Sequence, residues 1–323
     1  MPVRTNSYVA YAVKLEGTVN VDAQPSPTAD AIQLAQPFEP VYDLAFRTDR
    51  KTLVSGHINS SPPLRPSGPI ASWTHDAHWR GVGAPTPQNP AEFDAWFQAA
   101  GLSATYGVVG GAPQVVYVPA SSGAGGGAFK SATAYYWEDG LLHRLVGAQT
   151  ELSFSFDVGG PVAVQCASQG RYAGTVDAPF PAAVSYRAGD PPPTATDLTV
   201  CDVDGYAAGV VRKCSVKLGN QIGRRGGVKS PGGIAGFRIA RRESTFEIVL
   251  EEPLIAERDF RARELSAALT SLAWAVPGAT GALAFASATA VITKVTPSND
   301  AGVKLLTIAG ELTGPTPCAL TIT

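Results

Sequence analysis

SATAYYWEDGLLHRLVGAQTELSFSFDVGG, residues 131–160, decides the fold class. Along its second part Leu152, Phe154, Phe156 and Val158 fall on one face, and Glu151, Ser153, Ser155 and Asp157 fall on the other. A period of two is the signature of a half-buried β-strand. The break between the two apolar runs is Asp139-Gly140, a pair that tolerates the positive φ of a tight hairpin turn. The stretch therefore predicts two antiparallel strands joined by an acidic turn. Glu138 and Asp139, directly before the glycine, read as solvent-exposed turn residues rather than as an acid/base pair. His143 lies close by, but the sequence around it supplies no nucleophile or ligand at a compatible depth.

The same alternation recurs outward in both directions. ASWTHDAHWRG sets Trp73, His75, Ala77 and Trp79 on one face, with Ser72, Thr74, Asp76 and His78 opposite. A further strand is expected at Tyr8–Lys14, and others at EPVYDLAFRTDR and PQVVYV. In the C-terminal half, strands are expected with Val210, Cys214, Val216 and Leu218 on one face and with Phe246, Ile248 and Leu250 on one face. ALAFASATAVITKVT and VKLLTIAGELTG close the series. One helix is expected at 90–100, with Asn89 as cap, Pro90 in the first turn, Glu92 completing a capping box and Gly101 as the stop. Its apolar stripe is Phe93, Trp96, Phe97 and Ala100. A second helix is expected over 256–274, with Phe260, Ala268, Leu269 and Leu272 inward.

Strands, one helix, then strands: the order occurs twice. The letters SATA also occur twice, at Ser131–Ala134 and Ser287–Ala290, each after a helix. An internal duplication is the reading adopted. It divides the chain into an N-terminal arm at 1–36, a β domain at 37–176, a Pro-rich linker at 177–197 and a second β domain at 198–323. The alternative is one β-rich domain with two unrelated helices.

Composition narrows the function. The 323 residues carry 34 Gly and 26 Pro, suiting many turns and short strands, and only 16 % charged residues. That is below the roughly 25 % of an ordinary soluble domain, as expected where surface is covered by neighbours. A net charge of −2 does not suit a grip on a phosphate backbone. No apolar run is long enough to cross a membrane, and the N-terminus lacks the pattern of a secretion signal. Cys166, Cys201, Cys214 and Cys318 form no CxxC pair and are expected as free thiols.

The candidate sites are weak. His75 and His78 point to opposite faces of a strand and make no natural chelate. CDVDG at 201–205 lacks the remaining ligands of a calcium loop and reads as a turn. No G-x-S-x-G elbow, H-E-x-x-H helix, phosphate loop or dinucleotide fingerprint is present. No catalytic, metal or cofactor residue is assigned, and the chain is expected not to be an enzyme. GRRGGVKSPGG at 223–233 places Arg224, Arg225 and Lys229 in a glycine-rich loop.

Several stretches together resemble the major tail tube proteins of long-tailed, non-contractile (siphovirus-type) bacteriophages. They are residues 135–174, from YYWEDGLLHR onward; GYAAGVVRKCSVKLGNQIGRR at 205–225; VKSPGGIAGFRIARRESTFEIVLEE at 228–252; and KLEGTVNVDAQPSPTADAIQLAQPFEPV at 14–41. The tail PTPCALTIT has no counterpart in this resemblance. The resemblance implies a β-sandwich flanked by helices, giving strands to the inner β-barrel of a ring. Rings stack into a hollow conduit of the virion through which DNA passes, assembled in the host cytoplasm. If each chain carries two such units, three chains would make a pseudo-six-fold ring, a hexamer being the alternative. Expected partners are sister subunits, the tail terminator and tail-tip or distal-tail proteins, with DNA passing without sequence-specific binding and no membrane. Ser121, Gly125, Glu138, Asp139, Arg224, Arg225 and Lys229 are the expected inter-ring or inter-subunit contacts. Two other readings are a carbohydrate-binding or adhesive β-sandwich and a distal-tail ring protein of the same fold.

Overall fold

The computed structural model describes residues 9–43, 46–48, 64–66, 68–81, 85–120, 129–186, 192–207, 209–230, 233–278 and 281–323. The first half opens with β1 (Val9–Leu15), β2 (Val41–Asp43), a short hairpin of β3 (Phe46–Thr48) and β4 (Leu64–Pro66), and β5 (Ile70–His78). Helix α1 (Asp94–Ala99) follows, then β6 (Leu102–Val109) and β7 (Ala112–Pro119). This half ends with β8 (Ala132–Glu138), β9 (Leu141–Asp157) and β10 (Ala163–Asp177). A 3₁₀ turn at Ala195–Asp197 leads into β11 (Val200–Val203), β12 (Val211–Lys217), the hairpin β13 (Asn220–Gly226) and β14 (Ile234–Arg242), and β15 (Thr245–Glu251). Helix α2 (Phe260–Ser266), β16 (Leu269–Gly278), β17 (Gly281–Asp300), β18 (Val303–Leu312) and β19 (Ala319–Ile322) complete the chain.

The protein is mainly β, as its alternating sequence predicts. Among the described residues fifteen strands form one sheet, whose longest path runs from β2 to β6 and does not close on itself. Within it the two halves use one strand order. In the first half it is β1-β8-β9-β10-β5-β2, every neighbour antiparallel. In the second it is β11-β16-β17-β18-β15-β12, again antiparallel throughout. Each half also inserts a two-stranded hairpin after the β2 or β12 position. The repeated SATA letters do not mark this likeness. The first copy starts β8, whereas the second lies in mid-β17, a different strand of the shared order.

The halves meet where β12 pairs with the far end of β9, Lys217 opposite Ser153 and Lys213 opposite Asp157. Their buried faces share one apolar cluster. Phe97 of α1 reaches Phe154 of β9 at 6.0 Å between ring centroids, Phe154 reaches Trp274 of β16 at 6.0 Å, and Trp274 stacks on Phe285 of β17 at 5.5 Å. Residues 9–36 take part in this packing. β1 pairs with β8 from Val9 to Leu15, and Tyr11 and Ile32 belong to the core.

Several expected details differ. α1 begins at Asp94, and Phe93 holds the cap position without a side-chain cap. Asn89 instead bonds back to Thr86, and a Glu92 carboxylate oxygen accepts from the Gln33 N–H at 3.2 Å. The apolar stripe is buried as predicted, and Gly101 follows the helix with φ +74°. α2 is far shorter than expected, because Ala267 takes a left-handed conformation with φ 47° and ends it. Beyond that point the sequence alternates: Leu272, Trp274 and Val276 are buried on a strand, while Leu269 is 61 % exposed. Leu272 therefore faces inward, as predicted, but from a strand. Val158 is exposed because it lies just past the end of β9. Val210 is exposed because it precedes β12, whose ladder to β15 shifts register between Val211 and Lys213. PTPCALTIT supplies β19, which pairs with β17 and β7.

Candidate functional site

The sheet alternates, so its two faces differ in chemistry. The face away from the core forms a shallow groove of about 670 Å³ crossing β5, β10, β9, β12, β15, β18 and β17. It therefore spans both halves and the seam between them. Its floor is mostly small and polar, with Ser153, Ser155, Gln165, Ser215, Thr245 and Thr293 prominent. Four carboxylates, Asp76, Asp157, Glu247 and Glu311, outnumber two ammonium groups, Lys213 and Lys217. Lys213 lies 4.0 Å from Glu247, and Gln165 Nε2 donates to Asp76 at 2.9 Å. A surface of this sign does not accumulate phosphate, since phosphate binding scales with the positive groups offered.

The β13–β14 hairpin stands outside the main sheet and is pinned at its base. Glu151 accepts the Gly219 N–H at 2.6 Å and also the Asn220 N–H. Asn220 Nδ2 donates to Ala100 O at 2.9 Å, and Arg242 donates to Asn220 Oδ1 at 2.8 Å and to Ala100 O at 2.9 Å. Arg242 thus satisfies carbonyls at the end of α1, where partial negative charge collects. Burial pushes the Glu151 carboxyl up, opposed by the Asn220 and Gly219 N–H groups and the Arg242 charge. Away from this base Arg224 and Arg225 are exposed on β13, and Lys229 is exposed in the connecting turn. The expected loop is thus largely an ordered arm.

Glu138 and Asp139 sit at the β8–β9 turn as the sequence implies, with φ 27° at Asp139 and 83° at Gly140, but both are half-buried rather than solvent-exposed. Glu138 is 3.6 Å from His143 Nε2, and the Tyr42 hydroxyl bonds to His143 Nδ1. Burial lowers the His143 pKa, so the ring is neutral near pH 7 and the cluster works as packing. Ser121 and Gly125 lie outside the described residues. His75 is buried against Tyr11, Phe38 and Trp96, and burial depresses its pKa to about 3. Among the described residues no group of His, Cys, Asp or Glu could hold a metal ion.

Two polar anchors were not legible in the sequence. Glu16 accepts from Ser131 Oγ at 2.5 Å, Thr133 Oγ1 at 2.8 Å, Gly147 N at 2.6 Å and Asn20 N at 2.7 Å. Asp204 pairs with Arg258, and with Arg263 at 2.7 Å, while Asp202 Oδ1 accepts the Gly205 N–H at 2.8 Å. CDVDG is thus a turn that tethers the approach to α2. Apart from Asn20, the partners of Glu16 and of Asp204 are too far away in sequence for spacing to reveal them.

The description of the family whose model matches the chain is phage tail tube protein, over residues 14–312. That covers both halves and the seam between them. The chain belongs to the phage tail tube protein family. It is a structural subunit of the tail tube, not an enzyme, and its place is the virion tail. Tail tube subunits assemble with one another and with other tail proteins. No curated protein matches the chain.

Proposed function

We propose that each chain carries two tail-tube units and that three chains close into one ring of pseudo-six-fold symmetry. The observation that carries this reading is the six-strand order found twice, with the edge strand of one half, β12, laid on β9 of the other. A sheet that ends in open edges tends to pair with another chain, and a ring removes those edges by repeating one contact. The Pro-rich stretch 177–197 is then the connection between units. Each unit is a sandwich-type fold, and its outward sheet face contributes to an inner β-barrel. The polar groove crossing the seam lines the bore, where its small side chains and slight acidity let DNA slide past without sequence-specific binding.

Contacts between stacked rings fall to the β13–β14 hairpin, through its exposed Arg224, Arg225 and Lys229, and to the turn at Glu138 and Asp139. Ser121 and Gly125 belong to the same proposal. Tail terminator and tail-tip proteins cap the stack in the virion of a siphovirus-type phage. Negative-stain electron microscopy of the purified protein tests this function. Hollow rods or stacked rings are expected, and a protein that stays a single 33.5 kDa species under all assembly conditions would contradict it.

A further inference from the structure

The shared strand order leaves one contact without its counterpart. Inside the chain, the end of β12 lies on β9: Lys217 is opposite Ser153, Leu218 N–H donates to Leu152 O at 3.0 Å, and Gly219 N–H reaches the Glu151 carboxylate at 2.6 Å. In the common order β2 corresponds to β12, and β17 corresponds to β9. Register fixes the residues. Val41–Ser72–Gln169–Gln149 is one row across the first half, and Lys217–Thr245–Glu311–Val291 is the matching row in the second. β17 carries one extra residue where its ladder shifts between Ile292 and Lys294. Glu151, Leu152 and Ser153 therefore correspond to Lys294, Val295 and Thr296.

Both counterpart edges are open among the described residues. Leu312 N–H donates to Ser244 O on the β15 side, so alternation turns Thr307 of β18 toward Thr296 and leaves Val295 facing the other way. No described strand pairs with that edge at Val295. By the same alternation from the Trp79–Val162 bond, Val41 and Asp43 face β5, and Tyr42 presents its backbone N–H and C=O outward. Val41 is 60 % exposed. Asp43 and Lys294 are exposed and make no ion pair among the described residues.

We propose that β2 of one chain pairs antiparallel with Lys294–Thr296 of a sister chain, an inference that rests on the ring reading above. The pairing sets Asp43 against Lys294, Tyr42 against Val295 and Val41 against Thr296. It places opposite charges across from one another and lets two β-branched side chains pack, both favourable cross-strand pairs. Pro40 and Pro297 lie one residue beyond it and lack the N–H that would extend the ladder. The joint is thus short and specific, and a free chain does not offer a long sticky edge.

Cysteine cross-linking tests the pairing. Val41→Cys with Thr296→Cys would bring two Cβ atoms within disulfide reach, as Lys217→Cys with Ser153→Cys would at the corresponding joint inside one chain. In oxidised rods, the Val41/Thr296 double variant is expected to give bands of two and three chains on a non-reducing gel. Mixed single variants should give two-chain bands only, and each single variant alone should give neither. Rods that form normally, with the internal Lys217/Ser153 pair linked and the Val41/Thr296 pair unlinked, would overturn this inference and leave the ring reading standing. If no rods form from the unaltered protein, the ring reading itself fails and the inference with it. Independently, Asp43→Lys and Lys294→Asp should each lower rod yield at least ten-fold and restore it when combined. Full yield from both single variants would also overturn the pairing.

Discussion

Replacing Glu16 tests how the N-terminal segment is held in the fold. Its side chain is almost wholly buried and has no positive partner among the described residues; its carboxylate is met by four donors from three parts of the chain. Gly147 supplies one of them from an irregular point of β9, where the β8 ladder shifts and φ is +68°. Glu16→Ala leaves the Gly147 and Asn20 N–H groups without acceptors, while the two hydroxyls can rotate toward other partners. A buried unsatisfied donor costs about 1–3 kcal/mol, and bonds to a charged acceptor lie at the upper end, so the variant should lose about 4 kcal/mol. Glu16→Gln keeps the volume and one acceptor oxygen but turns an NH₂ toward donors, and should lose about 2 kcal/mol. Chemical unfolding of the unassembled protein, followed by tryptophan fluorescence, measures both. The order wild type, Gln, Ala is expected. An Ala variant within about 1 kcal/mol of wild type would refute the reasoning, because it would mean the four bonds contribute no more than water does.

Three further outcomes follow from single sites. Gly219 has φ +71°, and a Cβ there would sit 1.8 Å from the Glu243 carbonyl oxygen, so Gly219→Ala should cost about 3 kcal/mol or more and loosen the hairpin base; unfolding midpoints check it. His75 stays neutral when folded down to about pH 3, whereas the unfolded chain takes up its proton below about 6.5, so stability falls as pH drops through that window by up to about 1.4 kcal/mol per unit. His75→Phe should flatten this dependence, which unfolding curves between pH 4 and about 7 would show. Arg224→Glu with Arg225→Glu, on exposed side chains, should change stability by less than about 0.5 kcal/mol yet shorten the rods; unchanged rod length would remove these residues from ring stacking.

Much of the fold is legible because alternation and turn chemistry are local. The Asp139-Gly140 turn, the buried face of Trp73, His75, Ala77 and Trp79, and the inward Phe246, Ile248 and Leu250 all stand where the residues place them. The local pattern misleads where it fits two periods or ends without a signal. Leu269 and Leu272 are spaced for a helix, yet Leu272 belongs to an i, i+2 set with Trp274 and Val276, and no glycine or proline marks the stop at Ala267. The polar anchors at Glu16, Glu151 and Asp204 are invisible in the sequence because most of their partners lie far along the chain, in other strands, in loops and in α2. The likeness of the halves is legible in the order of elements but not in letters: the one repeated tetrapeptide falls on strands that do not correspond. An edge strand such as β2 is hardest to read, since three residues carry little periodicity and its second neighbour would be supplied by another chain.

Cryo-electron microscopy of assembled tubes, with the number of chains in each ring counted from the symmetry, tests the central claim most directly. Three chains per ring are predicted, with successive half-chains repeating one contact around the bore. Six chains per ring, or rings whose two half-chain contacts bear no likeness to the β9–β12 joint, would contradict it.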